Sequence, residues 1–154
     1  MVFSKSFGYA VRGLLYIAAQ QREKPFVQAD ELADALRVPK HFMSKILKRL
    51  AANGVLHSVK GPYGGFELKD DTLKTRLIDL LKVMDGVDFF HTCVLQIGEC
   101  HADNPCPLHY HVLGIRDKLE RVLTDTPIGS LVGADYEALV KSIRTHKEWK
   151  EELN

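Results

Sequence analysis

Three cysteines and one histidine lie close together in the chain and could bind a metal group. Six residues separate Cys93 from Cys100, five separate Cys100 from Cys106, and His109 follows three positions after the last cysteine. Thiolates are soft ligands that suit iron–sulfur clusters, but three thiolates and one imidazole are equally a ligand set for structural zinc. The spacing alone therefore leaves a cluster and a zinc ion as alternatives.

The residues around this set predict a long loop. Residues 87–105 show no sustained hydrophobic period, and such loops commonly carry function. Nearby histidines that could compete as ligands are more often exposed or supporting residues: His91, His101 and His111. A redox enzyme acting through its thiols is disfavoured, because the sequence has neither a Cys-x-x-Cys pair nor a nucleotide-binding glycine motif.

The composition predicts a globular protein without membrane association. With 154 residues, of which 45% are hydrophobic and 27% charged, the chain can form one packed core. Lys5 and Arg12 interrupt the apolar N-terminus, and no uncharged run approaches the roughly 18 residues of a membrane span. Three cysteines without an export signal argue against disulfides. We therefore expect a soluble cytoplasmic protein.

Basic residues are concentrated in the first half of the chain. Residues 1–66 contain ten Lys and Arg against four Asp and Glu, a balance of +6, whereas residues 67–154 contain eleven against sixteen, a balance of −5. No acidic residue occurs between residues 35 and 66. A surface built from that segment would attract a polyanion such as DNA; the alternative is an ordinary solvated face.

The first half also has the pattern of a helix-turn-helix unit. Apolar residues at helical spacing predict a first helix over residues 6–20, a short second helix over 29–36 and a third over 40–53. Pro39 separates the second and third helices, and Gly54 stands where a C-terminal cap belongs. On this pattern alone an ordinary helical hairpin remains the alternative. The third helix is predicted to bury the apolar residues Phe42, Met43, Ile46, Leu47 and Leu50.

A β-hairpin is predicted directly after the third helix. Residues 55–60 and 66–68 have strand character, and the Gly-Pro-Tyr-Gly-Gly segment at 61–65 is a turn. A hairpin in this place is typical of the wing of a winged helix. A fourth helix, predicted over residues 75–85, would complete the core of that unit.

A different helical pattern follows the cysteines. Four-three-four-three spacing predicts the seam of a coiled coil, with Arg116 among its exposed positions. Such a seam favours pairing with a second copy of the chain; the alternative is packing on its own domain. A polar C-terminal helix is predicted over residues 135–153, with Trp149 among its packing residues. The seam residues are Leu108, Val112, Ile115, Leu119 and Val122.

These elements predict a mainly α fold with a small β wing. A winged helix-turn-helix domain would span residues 1–86, a cysteine-bearing loop residues 87–107, and a long dimerisation helix with the C-terminal helix residues 108–154.

The segments YAVRGLLYIAA and VPKHFMSKILKRLAANGVLHSVKGPYGGFELK, followed by a cysteine-bearing loop and a long helix, resemble the Rrf2 family of bacterial winged-helix regulators. The resemblance covers about residues 3–132. It implies a homodimeric transcription regulator, not an enzyme, that binds a palindromic operator in double-stranded DNA. Many members hold an iron–sulfur cluster in this loop; a 2Fe–2S cluster is favoured, and a 4Fe–4S cluster is possible.

The resemblance also implies a ligand set. In the IscR branch a histidine follows the third cysteine at the position of His109, although the first spacing in that branch is usually one residue shorter. NsrR-like relatives instead take a carboxylate from the partner's first helix, where this chain has Gly8 and no acid before Glu23. His109 is therefore the expected fourth ligand. The family's cluster cysteines fall on Cys93, Cys100 and Cys106.

The same resemblance predicts a DNA surface and a function. We expect a repressor whose operator binding is controlled by a cluster that senses redox state, nitric oxide or cluster supply. The alternative is a regulator with a structural zinc ion or free thiols, constitutive or controlled by a small ligand. The expected contacts in the major groove are Lys40, His41, Ser44, Lys45 and Lys48. Those along the backbone and at the wing are Lys5, Tyr9, Arg12, Lys60, Tyr63, Gly64 and Gly65.

Overall fold

The computed structural model of the protein describes residues 2–145. Single 3₁₀ turns lie at Thr72–Lys74, Asp88–Phe90 and Ile128–Leu131. The prediction of a mainly helical winged fold is confirmed. The helices and strands follow one another in the order α1 (Lys5–Gln20), α2 (Ala29–Leu36), α3 (Lys40–Ala52), β1 (Leu56–Val59), β2 (Gly65–Leu68), α4 (Leu77–Met84), α5 (His109–Asp125) and α6 (Tyr136–Ile143).

Helix α1 forms the centre of the core. The Ser4 side chain caps its first turn by accepting a hydrogen bond from the Phe7 backbone N–H at 3.1 Å. The residues Ala10, Leu14 and Ile17 recur at helical spacing and are fully buried. Helix α1 packs against α3 and α4, and it therefore sets the orientation of the third helix.

The turn between α2 and α3 depends on one left-handed residue. Arg37 has a φ of 55°, which reverses the chain after α2, and the Val38 N–H donates to the Ala33 carbonyl at 3.0 Å. Helix α3 begins at once after Pro39, whose fixed φ suits this position. The two helices therefore pack as the predicted helix-turn-helix pair.

The prediction that Phe42 is buried is wrong, because its ring is 54% exposed. The other four residues of the predicted stripe are buried. Successive helical residues are rotated by about 100°, which places Phe42 beyond the edge of this stripe, on the side of Lys45 and Arg49. Both of those cations are exposed.

Strands β1 and β2 form the wing. They pair antiparallel, with Leu56 opposite Leu68 and Val59 opposite Gly65. Val27, which precedes α2, exchanges two backbone hydrogen bonds with Phe66, at 3.0 and 2.9 Å. These two bonds attach the hairpin to the helix-turn-helix unit.

Helix α5 packs on the winged unit along one face. His109, Arg116 and Leu123 recur every seven residues, or about two turns, and all three are buried. Leu119 and Val112 are half-buried, so part of the predicted seam faces inward. The remaining seam residues, Leu108, Ile115 and Val122, are exposed.

Helix α6 is shorter than predicted within the described residues. It spans Tyr136–Ile143 and is capped by Asp135, whose carboxylate accepts from the Ala138 N–H at 3.0 Å. The remainder of the predicted helix, including Trp149, lies outside the described residues. Among residues 2–145, no helix has both the length and the apolar character needed to cross a membrane.

Arg12 attaches the C-terminal segment to α1 and α2. Its guanidinium donates to the Ile143 carbonyl at 2.5 Å, the Leu36 carbonyl at 3.0 Å and the Thr145 hydroxyl at 2.8 Å. Arg144 adds a bond to the Ala35 carbonyl at 2.8 Å. The last carbonyls of α2 are thereby satisfied by basic side chains, which its dipole favours.

We expect the substitution Arg12→Met to lower the free energy of unfolding by about 2 kcal/mol, because it removes three hydrogen bonds from a half-buried cation while keeping an apolar stem. Urea unfolding followed by circular dichroism measures this. The matched control Arg22→Met changes an exposed residue and should leave the midpoint unchanged. An unchanged midpoint for Arg12→Met would contradict this role of Arg12.

Candidate metal centre and nucleic-acid interface

The cysteine-bearing loop folds back on itself just before α5. The Cys93 N–H donates to the Gly98 carbonyl at 2.9 Å, and the Cys100 N–H donates to the His91 carbonyl at 2.8 Å. Gln96 and Gly98, with φ of 56° and 153°, make the tight reversal between Cys93 and Cys100. This reversal brings Cys93 and Cys100 to the same end of the loop.

All three cysteines and His109 line one cavity of about 340 Å³. His109 is the first residue of α5, and its N–H bonds the Cys106 carbonyl at 2.9 Å. Its ring is 3% exposed, and Nδ1 lies 3.1 Å from Cys100 Sγ. Nε2 of His109 is buried without a hydrogen-bond partner in the described part of the chain. A buried imidazole nitrogen without a partner is rare and is available as a ligand.

Arg116 lies on the same face of α5 as His109 and holds the loop. Its guanidinium donates to the Thr92 carbonyl and lies 5.5 Å from the centre of the Phe89 ring. Arg116 is only 7% exposed, and its buried Nε has no partner among the described residues. No carboxylate of residues 2–145 makes a salt bridge to it. The prediction that Arg116 is exposed is therefore wrong.

The surroundings of Cys93 favour its thiolate. The pKa of this thiol is lowered chiefly by a hydrogen bond from the Leu95 backbone, and by Cys106, Ile97 and the charge of Arg116. Burial acts in the opposite direction. A lowered pKa increases the fraction of the form that binds metals.

The residues present fit an iron–sulfur group in kind, because three thiols and a buried imidazole line one space. The buried cation Arg116 does not line this space, but its charge acts on Cys93. No three His, Cys, Asp or Glu side chains within residues 2–145 converge closely enough to hold a single metal ion. The four candidate ligands thus share a cavity without meeting at one point.

The competing histidines differ in their positions. His101 also lines the cavity, but it is exposed, and its Nε2 lies 3.2 Å from the Glu99 carboxylate. His91 and His111 are exposed and are not among the lining residues. His109 is the histidine that the fold buries beside the thiols.

Helix α3 presents a basic surface opposite its buried face. Lys40 lies 3.2 Å from Asp34 and 3.8 Å from Asp30, and the hydrogen bond that Lys40 donates to the Asp34 carboxylate contributes most to raising the pKa of Lys40. All of these side chains are exposed, so the ion pairs can exchange for a phosphate. Ser44 is half-buried beside them, and the other exposed polar residues of this helix are His41, Lys45, Lys48 and Arg49.

The wing tip gives its glycines a different role from the predicted phosphate contact. A Cβ on Gly64 would lie 2.0 Å from the Val59 carbonyl oxygen, and a Cβ on Gly65 would lie 2.7 Å from that of Val27. Both glycines are therefore needed for packing within the protein itself. Tyr63, 92% exposed, and the exposed Lys60 are the tip side chains that extend into solvent.

Helix α1 contributes less to this surface than predicted. Lys5 is exposed, but Tyr9 is half-buried and lies 5.4 Å beneath the Arg12 guanidinium. Burial lowers the pKa of Arg12, and its bonds to α2 and the C-terminal segment occupy it. We therefore remove Arg12 from the predicted DNA contacts.

Comparison with known proteins decides the family. The Rrf2 family model, described as "Iron-dependent Transcriptional regulator", matches residues 3–134. The chain belongs to the Rrf2 family. The members of this family are transcriptional regulators, and the prediction of a regulator, not an enzyme, is confirmed.

This Rrf2 protein has similar relatives over nearly its whole length. An HTH-type transcriptional regulator of Aquifex aeolicus is 29% identical over 141 residues, covering 90% of this chain and 96% of that protein. The regulator IscR of Escherichia coli K12 is 27% identical over 138 residues, covering 90% and 83%.

Solved structures share the fold of this Rrf2 protein. CymR of B. subtilis, titled "the Global Cysteine Regulator", superposes with a TM-score of 0.68 at 22% identity, covering 84% of this chain and 95% of that chain. IscR of T. potens superposes with a TM-score of 0.64 at 16% identity, covering 96% and 94%. These likenesses establish the winged fold.

Two residues of this Rrf2 protein were not identified from the sequence as candidate functional residues. Arg116 lies seven residues after His109 and seven before Leu123, and that spacing could have placed it on the inward face. Phe42 lies within the run of basic residues of α3, but nothing in the residue pattern indicates how wide the buried stripe is.

We expect the substitution Gly64→Ala to distort the wing and lower the free energy of unfolding by on the order of 1–3 kcal/mol, because the added methyl would meet the Val59 carbonyl oxygen. Urea unfolding measures this. The control Gly8→Ala adds a methyl where nothing lies within 4 Å, in the interior of α1, and should leave stability unchanged or raise it by about 0.5–1 kcal/mol. Equal stabilities of the two variants would contradict the packing role of Gly64.

Proposed function

We propose that this Rrf2 protein is a homodimeric repressor whose affinity for a double-stranded DNA operator is set by an iron–sulfur cluster bound by Cys93, Cys100, Cys106 and His109. The observation that carries this proposal is the cavity of about 340 Å³ that these four residues line. Within residues 2–145, the buried Nε2 of His109 has no hydrogen-bond partner. The cytoplasm is part of this proposal, because a cluster held by thiolates and an operator in DNA both suit that compartment.

The charge of Arg116, which acts on the cavity residue Cys93, supports an anionic occupant of this cavity. A buried cation without a carboxylate partner is costly, because it has lost its hydration. A cluster ligated by three thiolates has a net negative charge and would offset that cost. A 2Fe–2S cluster with one histidine ligand is our first choice, and a 4Fe–4S cluster is the second.

The bound cluster would supply a centre that responds to redox state, nitric oxide or cluster supply. The positions of the four ligands in the fold determine which elements would move when the cluster responds. Cys93 and Cys100 belong to the folded-back loop, whereas His109 is the first residue of α5. A cluster with ligands on both elements would join the loop to the helix. Without the cluster, the loop would be held to α5 by the Arg116 bond to the Thr92 carbonyl and by the backbone bonds near Cys106.

Helix α5 in turn contacts the winged unit. It packs on α4, α4 packs on α1, and α1 packs on the recognition helix α3. A change in the position of α5 could therefore alter how α3 is presented to DNA. This is a contiguous path of packed elements, and coupling along it is part of the proposal.

The exposed apolar stripe of α5 favours pairing with a second copy. Leu108, Ile115 and Val122 recur every seven residues, and Ile115 is 69% exposed. A two-fold dimer through this stripe would place two α3 helices on one duplex and match a palindromic operator. The DNA contacts that we propose are Lys5, Tyr9, Lys40, His41, Ser44, Lys45, Lys48, Lys60 and Tyr63.

The decisive test uses protein purified without oxygen. We expect visible charge-transfer absorption together with iron and sulfide, and at least about a fivefold difference in operator affinity between cluster-bound and cluster-free protein. The substitution His109→Ala should alter the visible spectrum and weaken cluster retention. The matched control His111→Ala changes an exposed histidine outside the cavity and should alter neither.

Two results would contradict the proposed switch. One is colourless protein that contains stoichiometric zinc, which would support the structural-zinc alternative. The other is an operator affinity that is the same with and without the cluster.

The dimer is tested by placing a charge in the exposed stripe. We expect Ile115→Glu to convert a dimer to a monomer in sedimentation experiments and to weaken operator binding, because two carboxylates would meet at a two-fold interface. The control Thr124→Glu adds the same charge on another face of α5 and should remain dimeric. A wild-type monomer at micromolar concentration, or a dimeric Ile115→Glu variant, would overturn this interface.

A further inference from the structure

The aromatic ring of Phe42 is exposed in the first turn of the recognition helix. Phe42 is 54% exposed, and its neighbour His41 contacts it edge-on, with ring centres 5.8 Å apart. Lys45 and Arg49 follow at helical spacing on the same side and are exposed. A large apolar side chain thus lies within a surface that is otherwise polar and basic.

In a helix-turn-helix complex with DNA, a residue at the position of Phe42 would lie near base edges. In helix-turn-helix proteins the N-terminal residues of the recognition helix contact the bases in the major groove. Phe42 is the third residue of α3, and no acidic residue occurs in this helix to oppose its approach to DNA.

The chemistry of a phenyl ring limits what it can contact there. Phe42 has no side-chain donor or acceptor, so it cannot pair with the polar groups of the base edges. Among major-groove groups, the 5-methyl of thymine is the apolar one, and an apolar side chain can bury it. A phosphate would gain nothing from a phenyl ring.

We propose that Phe42 is a specificity-determining residue that contacts a thymine 5-methyl group in the operator. The inference rests on the proposed DNA-binding function and adds a base preference to it. The ring selects thymine by excluding water from its methyl group, whereas a cation that contacts a phosphate binds without regard to sequence.

The experiment compares thymine with uracil, which lacks only this methyl group. Operators are selected from random duplexes with the full chain purified without oxygen, and each thymine is then replaced in turn by deoxyuridine. We expect wild-type affinity to fall about fourfold at one thymine per half-site, the gain from burying one carbon group. Phe42→Ala should bind the two duplexes equally, and fluorescence anisotropy measures all four affinities.

The control Lys60→Met removes a cation from the wing and should weaken binding to both duplexes by the same factor, leaving the thymine preference unchanged. Because Phe42 is exposed, Phe42→Ala is expected to fold normally, and its unfolding midpoint checks this. Equal wild-type affinity for thymine and uracil at every position, or an unchanged ratio in Phe42→Ala, would overturn the role of Phe42 while leaving DNA binding intact. Failure to select any duplex would overturn the proposed function as well.

Discussion

The burial of one face of α5 is the packing interaction on which the site depends. His109, Arg116 and Leu123 share this face, and each contacts a different part of the protein. His109 lines the cavity, Arg116 bonds to the loop, and Leu123 belongs to the hydrophobic core of the winged unit. Because one rigid helix bears all three, the cavity cannot shift far without disturbing the core.

Burying a guanidinium on this face opposes folding. Desolvating an ion costs several kcal/mol, and one carbonyl with one aromatic ring recovers only part of that cost for Arg116. The helix tolerates this because Leu119 and Leu123, on the C-terminal side of Arg116, pack in the hydrophobic core. Buried charges that lower the stability of the fold occur commonly at ligand sites, because a ligand of opposite charge stabilises the buried ion.

The sequence predicted the elements well where their determinants are local. The bounds of α1, α2 and α3 agree within a residue or two, since helical periodicity and the residues Arg37-Val38-Pro39 are read within a few positions. The four candidate ligands also lie within a few positions of one another, and the structure places them around one cavity; their role as ligands stays a prediction. Phe42 and Arg116 were misjudged because the width of a buried stripe depends on which elements pack against it. Arg12 was misjudged because one of its acceptors, the Ile143 carbonyl, lies 131 residues away.

The DNA surface combines a rigid scaffold with loosely held charges. Two basic residues and the C-terminal segment bind the end of α2, and α1 packs beneath α3, so the orientation of the recognition helix is set before any duplex arrives. Lys40, by contrast, is exposed and paired with Asp34 and Asp30. Exchanging those carboxylates for a phosphate trades one screened ion pair for another, so Lys40 adds little net affinity. Discrimination then depends on groups without such an exchange, and the phenyl ring of Phe42, which contacts the His41 ring but forms no ion pair, is one of them.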